Sequence, residues 1–135
     1  MSFSVMVYRF VEGRPRPWDP AELEVVLSKY GKVQKGAHSV ELIPSGGKEL
    51  FEAATLHGEE EGKPECLGIS RPLDEPLLGE LIFDLLGLPN TFFFTEEVDW
   101  VKARDAVWED LPDEMLEGGD IDLRRVIEPS EILSF

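Results

Sequence analysis

Apolar residues along this chain recur with two spacings, and the switches between them divide the sequence into elements. In "FSVMVYRFV", Phe3, Val5 and Val7 occupy one alternating register and Met6, Tyr8 and Phe10 the other, the pattern of an interior strand. "EGRPRPW" reads as a connection broken by Gly and Pro. "DPAELEVVLSKYG" then predicts a helix, with Asp19 as cap, Pro20 at the first helical position, Glu22 completing a capping box and Gly31 as a left-handed exit. Leu23, Val26, Leu27 and Tyr30 fall on one stripe of that helix.

From His38 the alternation returns. "HSVELI" and "ELFEAATL" read as strands joined by a hairpin turn in "PSGGK", and "HGEEEGKP" as a second, charged turn before a strand in "ECLGIS". "DEPLLGELIFDLLGLP" predicts a second helix, with Asp74 as cap, Gly87 as exit and Pro89 as stop. Leu78, Leu81, Ile82 and Leu85 form its buried stripe. "TFFFT" then predicts a strand covered on both sides, because Phe92 and Phe94 point one way and Phe93 the other. Beyond it, a short helix near Arg104 to Asp110, a further turn near Asp113 to Glu117 after Pro112, and a strand from Leu123 to Ile127 complete the chain.

These elements predict one α+β domain over residues 1–135, with a mainly antiparallel sheet of about five to six strands and two principal helices packed on one side. A doubly wound parallel sheet fits less well, because the second to fourth strands are joined by short turns. No repeat, low-complexity tract or linker marks a boundary.

Composition adds that the chain can fold: 42% of its residues are apolar and Phe occurs at eight positions. Cys66 is the only cysteine, so no internal disulfide and no cysteine-based zinc cluster is expected. The start "MSFSVMVYRF" has no basic stretch leading into a continuous apolar run, and no long apolar run follows, which predicts a cytoplasmic protein without membrane attachment.

Charge changes the picture more. The net charge is -15, but residues 1–35 hold six Lys/Arg against four Asp/Glu, whereas residues 95–122 hold two against eleven. Such a field repels phosphate backbones and anionic membranes, so nucleic acid is an improbable partner. The same field speeds association with a basic protein, by roughly 10- to 10³-fold.

No reactive constellation stands out. His57 with Glu59, Glu60 and Glu61 offers ligand types for a divalent cation, yet lacks an H-E-x-x-H or EF-hand spacing, and a solvated hairpin tip accounts for it better. His38 at a strand start reads as structural. Cys66 beside Glu65 in a strand has its thiol pushed toward the protonated form, the wrong direction for a nucleophile. Ser45 lacks a G-x-S-x-G context and suits its turn. Glu109 and Asp113 have the spacing to share a proton, but Pro112 interrupts any helix between them. No catalytic residue, metal ligand or cofactor is therefore expected.

Recognition remains. Trp100 and Trp108 flank a segment carrying Asp105, Glu109, Asp110, Asp113, Glu114 and Glu117, and binding surfaces favour large aromatics ringed by polar groups. For each tryptophan a core position beside a solvated acidic face is the plainer account. The density of charge favours assigning these eight residues to partner binding. "LLGELIFDLLGLPNTFFF", then "LPDEML", then "VIEPSEI" resemble a pattern recurring in small acidic bacterial proteins, similar in size and charge to immunity proteins, which bind and neutralise a toxin of the same cell or its kin. The resemblance covers the C-terminal half of the chain. It implies a non-enzymatic protein with a basic partner and carries no catalytic residue. The alternative is a small enzyme or ligand-binding domain with a carboxylate-lined pocket that includes His57, and a third reading is a self-associating subunit with an apolar patch near Phe93 or Phe135.

Overall fold

The alternation at the start of the chain produces the expected strand, β1 (Ser4–Val11), whose Val5 and Val7 are buried on one side and Phe10 on the other. Glu12 and Gly13 follow with φ of 51° and 80°, the paired positive angles of a two-residue type I′ turn, and fold the short β2 (Arg14–Pro15) back onto β1. The computed structural model describes residues 4–36, 40–46, 49–60, 62–117 and 120–134. Phe3, His38, Gly47, Lys48, Glu61 and Phe135, and the readings placed on them, lie outside these residues.

Asp19 caps α1 (Pro20–Leu27) as expected, its Oδ1 accepting from Ala21 N at 3.0 Å. Gly31, however, is no left-handed exit. It opens β3 (Gly31–Lys35), where a Cβ would stand 2.1 Å from the carbonyl oxygen of Ile43, so glycine is required by close strand contact. β3 pairs along its whole length with β4 (Val40–Pro44). The hairpin expected after β4 does not form as such: β4 meets β5 (Ala53–His57) only at Val40↔Leu56 and Glu41↔Thr55. The chain between diverges and drives Leu50 and Phe51 into the core, so "ELF" is a buried loop and not strand.

β6 (Cys66–Ser70) leads to α2 (Pro76–Leu86), whose Leu78, Leu81, Ile82 and Leu85 are fully buried, the predicted stripe. Its N-cap is Glu75 in place of Asp74, and Gly87 exits with φ -75°; the left-handed turn comes later, at Asn90 with φ 58°. β7 (Thr91–Thr95) is buried at every residue. β8 (Trp100–Ala103) precedes the segment where a helix was expected, near Arg104 to Asp110, and of that segment only Trp108–Asp110 forms a helical turn, of 3-10 type. α3 (Asp113–Glu117) and β9 (Asp122–Arg125) complete the chain.

The strands form one sheet in the order β3-β4-β5-β6-β1-β7-β8-β9, with β2 beside β1, so the described sheet has nine strands where about five to six were expected. The extra ones are β2, β3 and β8. All pairings are antiparallel except β8 with β9. β1 is central, hydrogen-bonded to β6 and β7, which α2 connects over its face.

Pairing registers place Val40, Leu56, Leu67, Val7, Phe93 and Lys102 in one cross-strand row on the face covered by α1 and α2. Phe10, Phe92, Phe94, Val101 and Ala103 lie on the opposite face, covered by Ala106, Leu111 and the half-buried Trp108, Met115 and Leu116. Phe92 and Phe93 are fully buried on opposite faces. Each such burial stabilises by about 1.5–3 kcal/mol. Among the described residues no helix is long and apolar enough to cross a membrane.

Candidate functional site: the acidic outer layer

The chain between β8 and β9 has to cross the face of the sheet, because a parallel neighbour cannot be reached by a tight turn. Its apolar residues decide how it lies. Ala106 and Leu111 point onto the sheet, and the Trp108 ring packs 6.2 Å from that of Phe92, centroid to centroid. Pro112 ends the 3-10 turn, and α3 starts with Met115 and Leu116 turned inward. The remaining side chains of this layer therefore face water. Asp105, Glu109, Asp113, Glu114 and Glu117 are all exposed, and none has a hydrogen bond or ion pair among the described residues.

The nearby cations are committed elsewhere. Lys102 is 2% exposed and on the helical face, where Nζ donates to the backbone oxygens of Glu131, Ile132 and Ser134 at 2.6, 2.9 and 2.8 Å and lies 4.9 Å from the centroid of the Trp100 ring. Burial pulls its pKa down to about 8, with Arg124 adding to the effect and Glu131 opposing it. Arg104 lies over the Phe83 ring at 4.0 Å and donates to the Phe83 carbonyl. Arg125 lies over Trp108 at 4.3 Å and donates to the carbonyls of Arg104 and Ala106. Arg124 pairs with Asp122. Among the described residues the exposed carboxylates of the layer thus form no ion pair with these cations.

Three of the eight residues assigned to binding from the sequence are placed differently. Trp100 is buried on the other face of the sheet, its ring 5.3 Å from Phe93. Trp108 is a strut held between Phe92 and Arg125, half-buried and not displayed. Asp110 is spent internally: Oδ1 accepts from Glu12 N at 2.9 Å, Oδ2 from Asn90 Nδ2 at 2.8 Å, and its carbonyl from Gly13 N at 3.0 Å. It ties the β1–β2 turn and the α2–β7 turn to the layer. Asp105, Glu109, Asp113, Glu114 and Glu117 are the ones brought together.

Elsewhere, Cys66 is buried, and burial first, with Glu65 beside it and the Tyr8 hydrogen bond opposing, sets its thiol at about 11. Burial, helped by Cys66, pushes Tyr8 up to about 12. His57 is exposed at the end of β5, and among the described residues no group of three His, Cys, Asp or Glu is arranged to hold a metal.

A cleft of about 840 Å³ opens on the helical face between α1, β3, β4 and the turn at residues 57–64. Among the described residues its lining includes His57, Glu24 and Glu60, named by the alternative reading, together with Lys32, Lys35 and Lys63. Sequence reasoning missed it because β3 was not foreseen; the surplus of cations in residues 1–35 was the available signal. No family model matches the chain, and no curated protein or solved structure matches it either.

Proposed function

We propose that the chain is a non-enzymatic binding protein of the toxin-immunity type that engages a basic protein partner through the outer side of the layer between β8 and β9. One observation carries the reading: five carboxylates stand exposed on one layer with no ion pair among the described residues, while Arg104 and Arg125 beside them are turned onto Phe83 and Trp108. Like charges so placed repel one another, and a cationic partner relieves that cost. The contact surface is Asp105, Glu109, Asp113, Glu114 and Glu117, with Trp108 and Asp110 holding the layer in shape beneath them.

Replacing Glu109, Asp113, Glu114 and Glu117 by Lys tests this. Four reversals of two units each take the net charge from -15 to -7 and, among the described residues, break no side-chain hydrogen bond or ion pair. Native lysate passed over the immobilised wild type at low salt should yield a basic protein in stoichiometric amount. Its association rate should fall at least about 10-fold with the variant, and its salt dependence should flatten. An unchanged rate removes the acidic layer as the contact surface.

A further inference from the structure

The sheet is open at β9, which among the described residues pairs with β8 alone and is exposed at all four of its positions. Its bonds to β8 fix the direction of its backbone: Asp122 N donates to the Asp99 carbonyl and Val126 N to that of Ala103, at 3.2 and 3.0 Å. In a strand the N–H and C=O of one residue point to the same side, and successive residues alternate. The N–H and C=O of Leu123 and Arg125 therefore point away from β8. The strand is held in place on both faces, because Arg125 lies on Trp108 and Val126 is buried in the helical-face cluster. Leu123, 36% exposed, stands between them and Asp122.

An edge of this kind recruits another strand unless its side chains forbid it, and the usual deterrents, proline and lysine, are absent from "DLRR". Its charges are self-complementary. A strand that pairs antiparallel with its own copy about a two-fold axis is centred on one residue. Centring on Arg124 would oppose two like charges. Centring on Leu123 exchanges two N–H to carbonyl bonds at the axis and sets Asp122 of each copy against Arg124 of the other. Those two pairs fall at the non-hydrogen-bonded positions, where side chains approach most closely. Asp122 and Arg124 share one face, as their mutual ion pair at 2.7 Å shows, and with side chains 57% and 43% exposed they exchange partners at little cost. β3, at the other end of the sheet, has only lysines as charged residues, so no register of it upon itself pairs opposite charges.

We propose that β9 is a self-association edge, through which two copies of the chain pair antiparallel, centred on Leu123, and continue the sheet across a two-fold axis. The contact is small, since only a four-residue strand of each chain takes part, and the net charge of -15 on each copy opposes it, so the dimer is reversible. None of the five carboxylates assigned to partner binding is used.

Sedimentation equilibrium of the full chain at physiological salt, from about 10 µM to about 1 mM, should show monomer and dimer with no larger species. Asp122→Arg sets like charges across the axis and should weaken the dimer at least about tenfold, although it makes the chain less negative overall; Arg124→Asp should do the same. Mixed together, the two variants place opposite charges across the axis again and should form a heterodimer at least about tenfold tighter than either variant with itself. A chain that stays monomeric at about 1 mM, an Asp122→Arg variant that associates as tightly as wild type, or a mixture no tighter than its components would each overturn the proposal. Should a variant fail to fold by far-UV circular dichroism, hydrogen exchange of the wild type decides. The Leu123 amide, which points to water in the monomer, should gain protection as concentration rises, and an exchange rate independent of concentration would overturn the proposal equally.

Discussion

Asp110 shows how a residue that looks like surface charge acts as a fastener. Both carboxylate oxygens and its carbonyl accept hydrogen bonds from Glu12, Asn90 and Gly13, all three of which sit at positive φ in the turns they close. Asp110→Ala removes the acceptors of the exposed Glu12 N and the half-buried Asn90 Nδ2, keeps the carbonyl bond to Gly13, and should cost about 1–3 kcal/mol in chemical denaturation, whereas Glu109→Ala one position earlier should stay within about 0.5 kcal/mol. Lys102 makes a different prediction. Its folded pKa is about 8 against an ordinary 10.5, so between those values the unfolded chain binds more protons and this group's contribution to stability rises with pH. Cys66 and Tyr8, with raised values, work the other way and lose stability as pH climbs past their ordinary 9.0 and 10.0. The Lys102 contribution is therefore read as a difference: the stability gap between wild type and Lys102→Met should shift toward wild type from pH 8 to 10.5, and a flat gap would show that burial does not disfavour the ammonium. Neither role was legible in the sequence, where Asp110 is one acid among several and nothing marks Lys102 as the inward partner of three carbonyl groups.

At the scale of elements, legibility followed burial. β1, β7 and α2 were readable because both registers, or a full stripe, are apolar. β3 was not, since "GKVQK" offers only Val33 as an apolar residue and owes its strand geometry to β4. In β8, "WVKA" hides its alternation because the buried position between Val101 and Ala103 is Lys102. The Ser-Gly-Gly signal after β4 was real turn chemistry, with Gly46 at φ 83°, but burial of Leu50 and Phe51 set the path of the loop. Gly31 was misread for a related reason: it answers to a neighbouring strand and not to its own helix. Gly31→Ala should thus destabilise by about 1–3 kcal/mol in a thermal or urea melt, because the clash is with the Ile43 backbone and no rotamer relieves it. Charge density marked Asp105, Glu109, Asp113, Glu114 and Glu117, which are exposed, while linear proximity grouped Trp100 with them, a residue that strand alternation turns to the opposite face.

Across the whole molecule, the two faces of one sheet are covered differently: by the irregular layer with its exposed carboxylates on one side, and by α1 and α2 with a cleft of mixed charge on the other. The self-association expected near Phe93 loses its basis, since Phe93 is fully buried. The position of β1 has a further consequence. Beyond the short β2, which pairs only with Phe10 and Val11, its neighbours β6 and β7 span residues 66–70 and 91–95, so a chain leaving the ribosome exposes β1 first and most of the remaining domain must follow before that strand is paired on both edges. Pairings this distant in sequence make for slow folding, in the millisecond-to-second range, and leave the early chain prone to aggregate. Nascent chains arrested before residue 91 should remain protease-sensitive or chaperone-bound, and protection should appear in one step once β7 has emerged; stepwise protection from β1 onward would show that the sheet grows outward from its first strand instead.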